Sequence, residues 1–237
     1  MKPCGTCKET TQDGQVFGVL PQKLDSVVMK YLPKQVKIHH NNRGQKFKIH
    51  HGIPNQFFFY FGSKPRDPGQ KLLKKDDAYG DLSNSGIARF DSNGSATVFL
   101  DCPQVYIYDD GKVYHRHFHF VYWHKTRWGD ELFTSPVLCI VGKDFIKHWN
   151  QDLKVINALP QQEFEKRHIP NSYNLPYNEL WTESSVKKIL GIKNKQYPLV
   201  VHCLNKKCKA GEMVCNRLAM LGFYNLFLYE LGIEDWS

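Results

Sequence analysis

From Gln15 to Gly142, short apolar runs of Val, Ile, Phe and Tyr alternate with turn-forming clusters. These are Asn41-Asn42-Arg43-Gly44, Lys64-Pro65-Arg66-Asp67-Pro68-Gly69, Ser92-Asn93-Gly94 and Asp109-Asp110-Gly111. Such spacing predicts strands joined by tight turns, hence an antiparallel β domain, a sandwich rather than a barrel. The clearest hairpin joins Gly86–Phe90 to Ala96–Leu100 across Asp91-Ser92-Asn93-Gly94, with Thr97 and Phe99 on the side of the pleat opposite Val98. After Cys139 the pattern changes. Lys154-Val155-Ile156 and Leu199-Val200-Val201 have the form of buried parallel strands, and Cys208–Leu221 carries Met213, Leu218 and Leu221 at helical spacing.

Two domains follow: a mostly-β, sandwich-like domain over residues 15–142 and an α/β domain with a parallel sheet over 152–237. A tail precedes them at 1–14, and 143–151 is expected to link them. The chain has 237 residues, 41% hydrophobic and 23% charged, which suits folded domains throughout. No apolar stretch is long enough to span a bilayer, and Met1–Gly14 lacks the apolar core of a signal peptide, so a soluble cytoplasmic protein without a membrane partner is expected.

Seven cysteines, without the spacing of a dense disulfide framework, are expected to be reduced thiols. The net charge of +9 admits nucleic acid as a partner. Basic residues gather at Lys34–Lys48, Lys71–Lys75 and Lys206–Lys209, but no nucleic-acid-binding motif accompanies them, and a solvated surface is the plainer account.

Cys203 follows the apolar run Leu199-Val200-Val201-His202 and precedes a helix. Open α/β sheets place ligands there, and unpaired backbone N–H groups stabilise an anion. With Lys206, Lys207 and Lys209 nearby, the thiol is expected to ionise more readily than a free cysteine and to act as a nucleophile. Cys208, five residues on, either resolves an oxidised Cys203 by forming a disulfide or packs at the helix start. Cys215 is expected in the core.

Three segments in order carry a family resemblance. They are Glu163–Pro176 with His168-Ile169-Pro170, then Pro198–Cys203, then Leu221–Leu226 followed by Tyr229–Trp236. Together they resemble rhodanese-like domains, with Cys203 at the active-site cysteine. The resemblance implies a sulfurtransferase in which this cysteine takes sulfur from a small donor such as thiosulfate, holds it as a persulfide and passes it to a thiol acceptor, with no cofactor required. Lys209 and the loop amides would stabilise the anionic donor, giving Cys203, Lys209 and Cys208 as the catalytic candidates.

Two departures qualify this. The loop Cys203–Gly211 lacks the usual early glycine and the arginine and is one residue longer. Read as His-Cys-x5-Lys, it offers a point charge where phosphatases of this fold have a bidentate Arg. Asn157-Ala158-Leu159 also replaces the usual Asp-x-Arg. A catalytically degenerate module that binds a protein partner is therefore the alternative.

In the β domain, a strand through Tyr114–His124 would put His115, His117 and His119 on one face, a candidate site for Zn or Cu, with a polar face of hydrogen-bonded histidines as the other reading. His39, His40, His50 and His51 are further candidate ligands. The segment Ala78–Ala88, with Cys102–Tyr106 and the histidine strand, is weakly similar to an uncharacterised domain of large DNA viruses, implying no activity but admitting a virion-associated role and location. Cys4-Gly5-Thr6-Cys7 lacks the strand and helix of a thioredoxin-like motif.

Overall fold

The computed structural model describes residues 22–24, 26–41, 44–67, 70–108, 111–149 and 153–236. It divides into two compact units, the boundary falling between Val137 and Leu138. The pair Cys4/Cys7 lies outside the described residues.

The N-terminal unit runs β1 (Gln22–Lys23), α1 (Ser26–Met29), β2 (Gln45–Ile49), β3 (Phe57–Gly62), α2 (Lys75–Tyr79), β4 (Ser85–Arg89), β5 (Ala96–Leu100), β6 (His117–His124), β7 (Arg127–Trp128) and β8 (Glu131–Pro136). Its main sheet is antiparallel, ordered β1-β8-β6-β3-β4, with β7 paired to β6. β3, with the sequence Phe57-Phe58-Phe59-Tyr60-Phe61-Gly62, is buried on both sides. One face carries Phe59, Phe61, Ile87 and Val121 into a core shared with Leu24, Val28 of α1 and Ala78 of α2. The other carries Phe58, Tyr60, Phe118 and Phe120, which contact one another and Phe90.

β2 and β5 form a separate antiparallel ribbon. This corrects the expected hairpin. The turn is there: Asp91 N–H donates to the Ser95 carbonyl at 2.8 Å, the Asp91 carboxylate accepts from Asn93 and Ser95 N–H, and Gly94 takes φ +73°. Yet its arms part into different sheets, β4 pairing with β3 and β5 with β2. A cross-strand partner more than forty residues away in sequence took the place of the local one. The pleat phase is as expected, with Val98 fully buried and Thr97 and Phe99 half-buried opposite it.

The C-terminal unit runs β9 (Cys139–Ile140), α3 (Lys143–His148), β10 (Lys154–Asn157), α4 (Gln161–Lys166), β11 (Tyr173–Asn174), α5 (Glu183–Leu190), β12 (Leu199–His202), α6 (Ala210–Met220), β13 (Leu226–Tyr229) and α7 (Gly232–Asp235). Its sheet is wholly parallel, ordered β11-β10-β12-β13-β9. All four residues of β12 and of β13 are buried, as parallel strands covered on both faces require. Val186 and Leu190 of α5 and Val214, Cys215 and Leu218 of α6 pack into the core with Ile156, Val201 and Leu228. The segment 143–151, expected as a linker, holds α3, and Cys139–Ile140, expected in the β domain, forms the edge strand of this sheet.

Cys203, Cys208 and Cys215 are free thiols, whereas Cys102 and Cys139 are each disulfide-bonded, against the expectation of reduced cysteines. No helix among the described residues is long and apolar enough to cross a membrane.

Candidate active-site loop

β12 lies between β10 and β13, in register Asn157↔His202 and His202↔Tyr229, so the chain leaves the middle of the sheet at its carboxyl edge. Cys203 is the first residue beyond the strand, and α6 begins at Ala210. Between them the loop is held from two sides. Ile233 and Glu234 N–H, in the first turn of α7, donate to the carbonyls of Cys203 and Leu204 at 3.0 and 3.1 Å. Asn205 ties the loop internally: its side-chain oxygen accepts from Lys207 N–H at 3.1 Å, its carbonyl accepts from Cys208 N–H at 3.0 Å, and its amide donates to Glu234 at 3.0 Å.

Two glycines permit this packing. Gly232 has φ +67°, and a Cβ there would stand 2.5–2.7 Å from backbone atoms of Cys203 and Leu204. Gly211 brings the start of α6 against the cysteine, a Cβ there lying 2.9 Å from Leu228 Cδ1 and 3.5 Å from Cys203 Sγ.

The backbone amides of Gly211 and Leu204, next to the sulfur, favour its thiolate. Burial outweighs them. Cys203 is 2% exposed, its thiol donates to the Cys208 carbonyl at 3.2 Å, and its pKa is pushed up to about 12, first by desolvation and then by its hydrogen bonding with Cys208. This reverses the expectation of a readily ionised thiol, because the closed loop removes the sulfur from water.

The lysines do not offset that. Lys209 Nζ pairs with Glu212 at 3.0 Å, which raises its pKa, and Lys206 pairs with Glu230 at 3.2 Å. Cys208 is half-buried in the same loop, while Cys215 is 2% exposed in the core, as its spacing suggested. Of the three catalytic candidates, Cys203 and Cys208 are therefore brought together, and Lys209 is turned onto its own helix.

Residues 143–237 match the family model of the rhodanese-like domain. That segment contains the parallel strands β10 to β13, the loop after β12 and α7 described above. Among solved structures, similarity is found to a protein of Bacillus halodurans, at 22% identity and TM-score 0.36, covering 41% of this chain and 70% of that one. An uncharacterised protein of Saccharomyces cerevisiae matches at 22% identity and TM-score 0.34, covering 40% and 82%. A single-domain sulfurtransferase of Saccharomyces cerevisiae matches at 17% identity and TM-score 0.36, covering 42% and 89%. No match is found among curated protein sequences.

Around the loop are three further buried groups, of which the sequence marks Asn157 only as a departure from the family pattern and His202 and Tyr229 not as site residues. Asn157, where the family pattern has a carboxylate, is fully buried; its side-chain oxygen accepts from Leu159 N–H at 2.8 Å and its carbonyl accepts from the Asn174 side chain at 3.1 Å. The amide thus supplies an acceptor to the β10 turn without a buried charge. His202 is fully buried, and desolvation lowers its pKa to about 4, keeping it neutral beside the cysteine. Tyr229 OH donates to Asp235 at 2.7 Å, anchoring α7 to the neighbouring strand.

The histidine strand begins at His117, so His115 lies before it. His117 and His119 do share a face, with ring centroids 4.9 Å apart, but both are buried. His117 bonds through Nε2 to Tyr106 OH at 2.8 Å and through Nδ1 to the His115 carbonyl at 2.6 Å, and His119 Nδ1 meets Thr134 Oγ1 at 2.7 Å. Among the described residues no group of three His, Cys, Asp or Glu side chains is placed to hold a metal ion. The sheet face expected to be polar is instead an aromatic core in which these imidazoles satisfy hydroxyl and carbonyl partners.

Proposed function

We propose that the rhodanese-like domain is a sulfurtransferase or thiol-redox module in which Cys203 carries sulfur as a persulfide. The observation that carries this reading is the placement of Cys203 at the carboxyl edge of β12, in the loop before α6 and beside the backbone amides of Gly211 and Leu204. Those amides favour an anion on the sulfur and would equally favour the terminal sulfur of a persulfide.

The chemistry needs no cofactor. The Cys203 thiolate attacks the outer sulfur of thiosulfate, the donor's S–S bond breaks, and sulfite leaves with the bonding pair. An acceptor thiolate then attacks the outer persulfide sulfur, and Cys203 departs as thiolate. If the Cys208 thiolate attacks the Cys203 sulfur instead, a Cys203–Cys208 disulfide forms and hydrosulfide is expelled, which is the redox variant. In either route the thiol must first give up its bond to the Cys208 carbonyl, so turnover is coupled to opening of the loop.

A second reading, a binding module without catalysis, draws support from the same burial and from Lys209 being paired with Glu212. Thiocyanate formation from thiosulfate and cyanide separates them. The sulfurtransferase reading expects activity that Cys203→Ser abolishes and Cys208→Ser retains. The redox reading expects no turnover but a peroxide-driven Cys203–Cys208 disulfide. Absence of both would leave the binding module.

A further inference from the structure

From Ser26 to Arg66 the chain contains no Asp or Glu and eight Lys or Arg. The fold concentrates part of this run on one surface. In the β2–β5 ribbon, Lys46 pairs across from Phe99 and Lys48 from Thr97, so these four side chains share a face, while Phe47, Ile49, Val98 and Leu100 are buried on the other. Lys46 and Lys48 are exposed, and neither makes an ion pair among the described residues.

The two carboxylates at the ribbon's ends are engaged elsewhere. Asp91 accepts from the N–H groups of its own turn, and Asp101 accepts from the Asn41 side chain at 3.0 Å. Phe99, half-exposed beside the lysines, is backed by the His40 ring, with centroids 5.2 Å apart. His40 is itself fixed by a 3.1 Å hydrogen bond with Tyr60 OH, and the same hydroxyl accepts from Phe99 N–H at 3.4 Å. Lys37 and His39 lie exposed on the adjoining extended segment, where His39 bridges to Ile87 of β4.

Two cations at alternate positions of a strand stand about 7 Å apart, close to the repeat of successive phosphates in an extended nucleotide chain. A supported aromatic ring beside cations, with no acid on the face, is the combination that binds single strands by backbone neutralisation and base stacking. An acidic peptide would use the lysines but leave the ring without a role. We propose that the outer face of the β2–β5 ribbon binds single-stranded nucleic acid, with Lys46 and Lys48 on neighbouring phosphates and Phe99 under a base.

The test is fluorescence anisotropy of a fluorescein-labelled oligothymidylate with the full chain, between about 50 and 200 mM salt. Removing both cations in Lys46→Ala/Lys48→Ala should weaken binding and lower the slope of log affinity against log salt by about 1.4, from about 0.7 per phosphate on a single strand. Phe99→Ala should weaken binding about 5- to 150-fold. Lys206→Ala/Lys207→Ala, in the other unit, should leave affinity unchanged. Because Lys46 and Lys48 are exposed, their variants keep the fold, which circular dichroism checks, and Lys46→Glu/Lys48→Glu should abolish binding. The proposal is overturned by no binding at the lower salt, by ribbon variants that bind like the parent, or by full competition from poly-glutamate.

Discussion

Gly232→Ala tests how the loop around Cys203 is held. The new methyl would lie 2.5 Å from the Cys203 carbonyl oxygen and 2.6 Å from that of Leu204, and it would sit on a backbone at φ +67°. Those oxygens accept the N–H groups of Ile233 and Glu234, so relieving the contact pulls α7 off the loop. A left-handed conformation in an L-residue costs about 1–2 kcal/mol, and each lost hydrogen bond about 0.5–1.5 kcal/mol, together about 2–5 kcal/mol. Gly191→Ala is the matched control: φ is +63°, but nothing lies within 4 Å, so only the conformational part applies. The assay is hydrogen exchange by mass spectrometry on peptides covering β12, the loop and α7. Gly232→Ala should speed exchange there by about 30-fold or more and should raise the alkylation rate of Cys203, with Gly191→Ala changing neither the loop nor the thiol. Equal effects of the two substitutions would refute the claim that close packing of α7 seals the cysteine.

Two pH effects follow from the buried groups. His119 is buried next to His117, and desolvation holds its pKa well below the ordinary value, so its imidazole stays neutral in the folded N-terminal unit where the unfolded chain takes up a proton. Its stability should therefore fall as pH drops below about 6.5, by up to about 1.4 kcal/mol per pH unit for each such histidine, and His119→Asn should flatten the urea midpoint between neutral and mildly acidic pH. Cys203 acts in the opposite direction. Its thiol stays protonated in the folded state up to about 12, whereas the unfolded thiol ionises from about 8.5, so its contribution is intact at neutral pH and lost as pH rises through that window. Cys203→Ser should reduce the alkaline loss of stability in the C-terminal unit, and an unchanged alkaline profile would contradict the burial argument.

The rhodanese-like domain was legible because its signals are local. Buried parallel strands read as unbroken apolar runs, and the place of Cys203 is set by where such a run ends. The antiparallel unit was legible in its turns and pleat phase but not in its pairing: the Asp91–Gly94 turn forms, and nothing near it announces that β5 leaves β4 for β2. The histidine strand misled for a related reason. Alternation assigned His117 and His119 to one face correctly, but whether that face meets solvent or Tyr79, Tyr106 and Thr134 depends on segments remote in sequence. The ionisation of Cys203 failed as an expectation because motif and charge spacing report the amides and lysines but not the depth of burial.

The most direct measurement of the central claim is the intact mass of the protein after thiosulfate treatment, with Cys203→Ser alongside. A persulfide on Cys203 gives a gain of one sulfur atom that cyanide removes and that the variant lacks. No gain on a protein whose Cys203 is shown to be reduced, or an equal gain in the variant, would contradict it.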